Sequence, residues 1–137
     1  MIDPNRLIEE ARLASIGDRD SRLRFFNLAM LSHLDDVVDQ LPDELASTLD
    51  FAHHFWNEVE GTREQLLLRR IACWNYIDSV DTVPHGPEFF AARALVCTLF
   101  ADDEAGLHEE GTEDYDVDEY IETTAGAFAS AINHLRS

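Results

Sequence analysis

The sequence predicts an all-α protein, a single-domain bundle of about six helices spanning residues 1–137. Three observations carry that prediction. Apolar residues recur at three- and four-residue spacing through most of the chain, which places them on one face of a helix. Helix start and stop signals punctuate the chain at Asp3-Pro4, Leu41-Pro42, Gly61-Thr62 and Gly86-Pro87. No run of four or more residues alternates apolar with polar over a β-branched-rich stretch, so no strand is expected.

Asp3 is a natural N-cap, with Pro4 at the first helical position, where its missing N–H costs nothing. Leu7, Ile8, Ala11 and Ala14 form the stripe of that first helix, and Gly17 is its expected stop. The second helix is expected from about Ser21 to Gln40, with Leu23, Phe26, Met30, Leu34 and Val37 inward and Phe25, Leu28 and Leu31 widening the stripe. Leu41 closes it, because a residue before proline avoids the helical basin. A third helix starts near Pro42, with Asp43 and Glu44 where the helix dipole favours anions, and continues through Leu45, Leu49, Ala52, Phe55 or Trp56, and Val59 to Gly61.

Thr62-Arg-Glu-Gln65 reads as a capping box and opens the fourth helix, with Leu66, Leu67, Ile71, Trp74 and Ile77 expected inward. After a loop at 81–86, Pro87 opens a fifth helix whose Phe90, Ala91, Ala94, Leu95, Thr98 and Leu99 permit close helix contact. A polar loop, 102–116, precedes the last helix. Glu119 occupies the capping-box position of that helix, which carries Tyr120, Ile121, Thr124, Ala125, Phe128, Ala131, Ile132 and Leu135.

Charge is the chain's other strong signal. It has 28 acidic residues against 10 basic ones, all arginine, for a formal net charge of -18. The excess sits in two blocks, residues 31–68 and 102–137. Such a field repels nucleic acid and anionic membrane and steers basic proteins or cations inward. Hydrophobic residues still make up 45% of the chain, which separates it from disordered acidic tails. GC-rich codon usage or a salty cytoplasm would produce the same acidity without any partner.

The N-terminus lacks a basic and an apolar region, and no apolar stretch approaches the roughly 18 residues of a membrane span, so the cytoplasm is the expected location. Cys73 and Cys97 lie among apolar residues and read as buried thiols.

Metal chemistry has one candidate cluster. Asp50, His53, His54 and Glu58 fall within two helical turns, but di-iron bundles need a second Glu-x-x-His pair, and adjacent histidines diverge by about 100° on a helix. Asp114, Asp116 and Asp118 imitate the start of a calcium loop, yet Glu119 and Ala125 stand where glycine and glutamate are required. No nucleophile elbow and no phosphate loop occurs, so no enzyme and no cofactor is expected. Tyr115, alone in an acidic loop, reads as an interface anchor.

The segments Leu49–Trp56, Arg69–Trp74, Phe89–Ala94 and Thr123–Phe128 resemble those of small helical bacterial proteins and immunity proteins of polymorphic and contact-dependent toxin systems. That resemblance implies a binder that neutralises a toxin. The partner expected is therefore a basic protein such as a cognate toxin, with neither nucleic acid nor membrane. Its contact surface would comprise Asp102, Asp103, Glu104, Glu109, Glu110, Glu113, Asp114, Tyr115, Asp116 and Asp118, extended by Asp35, Asp36, Asp39, Asp43 and Glu44. Two rival readings stand beside it. One is a stand-alone helical protein, homodimeric through Ala91, Ala92, Ala94, Ala125, Ala127 and Ala129; the other is a metal-dependent bundle enzyme.

Overall fold

The computed structural model describes residues 3–14, 19–58, 60–100 and 117–136, and its regular structure is helical throughout. Six α-helices follow in order: α1 (Pro4–Ala14), α2 (Arg19–Asp35), α3 (Ala46–Glu58), α4 (Arg63–Ser79), α5 (Pro87–Val96) and α6 (Val117–Arg136). Two 3-10 turns, Val38–Gln40 and Asp43–Leu45, join α2 to α3. None of the described helices is long and apolar enough to cross a membrane.

Local chemistry sets several boundaries where the sequence puts them. The Asp3 carboxylate accepts from the Asn5 amide at 2.9 Å, capping α1. At α4 the capping box is reciprocal: Thr62 Oγ1 accepts from the Gln65 amide at 3.1 Å, and Gln65 Oε1 accepts from the Thr62 amide at 2.9 Å. Gly61 adopts φ +99° ahead of that box, and a Cβ there would meet the Phe51 ring at 3.0 Å. The expected stop at Gly17, Val59 and the expected cap residue Asp116 lie outside the residues described, whereas Glu119 falls in the first turn of α6.

Two expectations need correcting. α2 ends at Asp35, five residues before the expected Gln40. Asp35 and Asp36 put two carboxylates at the negative end of the helix dipole, and i→i+3 bonds from Val37 to Leu34 and Gln40 to Val37 take over. The inward row of α4 is Leu66, Arg70, Cys73 and Ile77, while Ile71 is 47% exposed and Leu67 and Trp74 are half-buried. Arg70 takes the core position because its guanidinium lies over the Phe100 ring, 4.6 Å from the centroid, and donates toward the Leu99 carbonyl at 3.5 Å.

α1 packs against α2 and α6, and α5 against α6 and α4, so that α2, α5 and α6 surround one core. Phe26, Met30, Leu34, Leu95, Leu99, Phe128 and Ile132 are fully buried in it. Trp56 fastens α3 to this core: its indole N–H donates to the Thr98 carbonyl at 2.7 Å, and its own carbonyl accepts from Arg24 Nε at 2.7 Å. Ala91, Ala92, Ala94, Ala125 and Ala129 are buried inside the monomer. Ala127 is exposed. Five of the six alanines assigned to subunit contact are therefore consumed by packing within the chain.

Candidate functional site

Three places carry charge or space that could meet a partner. The first is the connection from α2 to α3. Asp35, Asp36, Asp39, Asp43 and Glu44 are all exposed along it. The 3-10 turns and two outside contacts hold the segment in place. His53 Nε2 lies 2.8 Å from Asp35 Oδ1, and Arg136 Nη2 donates to Asp36 Oδ2 at 3.2 Å. Gln40 Nε2 also donates to the Leu135 carbonyl at 3.3 Å, tying the segment to α6. Exposed pairs of this kind contribute little stability, but they fix where the carboxylates stand. Asp39, Asp43 and Glu44 form no ion pair among the described residues. Glu44 reaches the edge of α4, where burial first, and then the charges of Glu44 and Glu88, raise the Tyr76 hydroxyl above its ordinary range.

Of the remaining residues expected at the contact surface, Asp118 falls in the first turn of α6. Asp102, Asp103, Glu104, Glu109, Glu110, Glu113, Asp114, Tyr115 and Asp116 lie outside the residues described.

The second place is the end of α3. Asp50, His53, His54 and Glu58 do not converge on one point. His53 turns toward Asp35, and Asp50 meets His54 through its main chain: His54 Nδ1 lies 2.9 Å from the Asp50 carbonyl oxygen. That contact makes Nδ1 the donor and aims Nε2 at Glu58, 3.9 Å away. Glu60, which sequence reasoning missed, completes the group. The amide of Glu60 donates to the His54 carbonyl at 3.2 Å, folding the chain back over the helix end. His54, Glu58 and Glu60 each bring a ligand atom within 4.8 Å of the others, all exposed to solvent. The Asp50 carbonyl, then Glu58, and more weakly Glu60 and Asp50, raise the His54 pKa against the opposing effect of desolvation.

The third place is a cavity of about 230 Å³ where α4, α5 and α6 meet. Trp74 forms one wall, Arg93, Val96, Cys97 and Phe100 another, and Tyr120, Thr123, Thr124 and Ala127 of α6 the third. Arg93 lies over the Trp74 ring, 5.3 Å from its centroid. Burial pushes the Cys97 thiol up to about 12, so it stays protonated and donates to the Arg93 carbonyl at 3.3 Å. Cys73 is likewise pushed up to about 12 by burial, with its Sγ 3.5 Å from the Ala92 carbonyl. Both cysteines are free and buried, as their apolar neighbours predict. The sequence places Trp74, Tyr120 and Thr124 on packing stripes and gives no sign of the cavity, because a cavity forms between helices and leaves no motif in any one of them. Against known proteins, no family model, curated protein or solved structure matches the chain.

Proposed function

We propose that this chain is a binding protein for a basic macromolecular partner, of the immunity-protein type, and that it engages the partner through the acidic connection between α2 and α3. The observation that carries the reading is the exposure of Asp35, Asp36, Asp39, Asp43 and Glu44 within ten residues of chain. Contacts from α3 and α6 hold that segment. A preorganised anionic ridge presents its charge without an ordering cost and accelerates encounter with a cationic surface. The resemblance of Leu49–Trp56, Arg69–Trp74, Phe89–Ala94 and Thr123–Phe128 to immunity proteins agrees with that role. Catalysis gains no comparable support, since the buried thiols are protonated and the His54 group is open to water.

The test is capture of the partner from the native host by wild-type protein and by a variant carrying Asp35→Asn, Asp36→Asn, Asp39→Asn, Asp43→Asn and Glu44→Gln. The wild type should retain a basic protein that elutes as salt rises, and association with the variant should be slower by about tenfold or more at low ionic strength. Equal on-rates for the two proteins would refute this placement of the interface.

A further inference from the structure

We propose that the cavity between α4, α5 and α6 binds a small apolar carboxylate about the size of a bicyclic aromatic acid, with the Arg93 guanidinium receiving the carboxylate. This site is separate from the acidic ridge and does not depend on it.

Size, lining and charge point the same way. An apolar cavity of about 150 Å³ accepts benzene, and sites for drug-sized ligands begin at about 300 Å³. At about 230 Å³ this cavity fits one fused ring pair or an aliphatic chain of similar bulk. Trp74, Val96, Phe100 and Tyr120 offer ring faces and methyl groups to such a body. The Cys97 thiol is protonated and adds no charge.

Arg93 is the one charged residue lining the cavity. It stands on the exposed side of α5, resting on Trp74. Its setting differs from that of the other arginines with described side chains. Arg6 and Arg136 pair with carboxylates, and Arg24 and Arg69 donate hydrogen bonds. Arg63 and Arg70 also have partners. The Arg93 guanidinium forms no ion pair or hydrogen bond among the described residues, in a chain where acids outnumber bases 28 to 10. A guanidinium with no ion pair or hydrogen bond among the described residues, at the mouth of an apolar cavity, selects a ligand with an apolar body and an anionic end. A cationic ligand would meet repulsion from Arg93, and a neutral one would leave its forked donors unused.

The probes are 2-naphthoate and its neutral counterpart 2-naphthalenemethanol, titrated into the full chain by isothermal calorimetry. The acid should bind saturably, one per chain, about tenfold or more tighter than the alcohol, the scale of one charge-assisted hydrogen bond. Arg93→Gln should bring the acid down to the level of the alcohol and leave the alcohol's affinity within about twofold. Ala127→Phe and, independently, Thr123→Phe place a ring at exposed positions of the cavity rim and should abolish binding of both probes while the melting temperature is retained. The proposal is overturned if neither probe saturates, if acid and alcohol bind wild type equally, if Arg93→Gln weakens both alike, or if both rim variants bind normally.

Discussion

Trp56→Phe is the substitution that tests most directly how α3 is held to the core. Phenylalanine keeps a ring against Phe55, whose centroid lies 4.9 Å away, but removes the indole N–H that reaches the Thr98 carbonyl at 2.7 Å. That carbonyl then loses its cross-helix partner in a buried setting, a cost of about 1–3 kcal/mol. The smaller ring also buries roughly 40 Å² less apolar surface, worth about 1 kcal/mol at roughly 25 cal/mol per Å². Together these predict a loss of about 2–4 kcal/mol, a large share of the 5–15 kcal/mol typical of whole domains. The Arg24 contacts survive, because they are made to the main-chain carbonyls of Trp56 and Asn57. Guanidinium denaturation measures the effect as a lower midpoint at unchanged slope. A loss below about 1 kcal/mol would refute the assignment of this bond as the principal tie between α3 and the turn after α5.

Two further outcomes follow from single residues. Asn27 is fully buried; its Nδ2 donates to the Leu23 carbonyl at 2.8 Å while its Oδ1 has no hydrogen-bond partner among the described residues. Asn27→Leu removes that unpaired acceptor and should stabilise the fold by about 1 kcal/mol in chemical denaturation, with destabilisation as the refuting result. His54 should titrate by NMR above its ordinary 6.5, and Glu58→Gln should lower its midpoint toward that value. The folded state holds the His54 proton more tightly than the unfolded chain, so the stabilisation is complete below 6.5 and fades as pH rises through the folded value. A midpoint at or below 6.5 would contradict the contacts described.

Much of the fold was legible because local chemistry decides it. Asp3 and the Thr62–Gln65 box cap helices using atoms two or three residues apart, and those spacings are visible in the chain. The stripe of α6, from Tyr120 to Leu135, is buried along its length apart from the half-buried Thr124, because it follows the helical period without interruption. The inward phase of α4 was misjudged for the opposite reason. Arg70 occupies a core position through Phe100 and Leu99, about thirty residues away, and no local rule places an arginine inward. The same holds for the sites. The exposed carboxylates of the α2–α3 connection could be read directly, whereas the approach of Glu60 to His54 depends on a turn beyond the helix end. The Arg93 cavity depends on three helices at once.

The placement of α1 between α2 and α6 constrains the order in which the protein can form. α1 and α2 leave the ribosome well before α6, yet one flank of their shared apolar surface is covered by that helix, which begins about a hundred residues later. At a synthesis rate of about 5–20 residues per second, that flank stays open for seconds on the nascent chain. A chaperone that recognises exposed apolar helices would find its substrate there during translation. Synonymous codon changes that slow elongation between α2 and α6 should lengthen its occupancy without altering the finished protein.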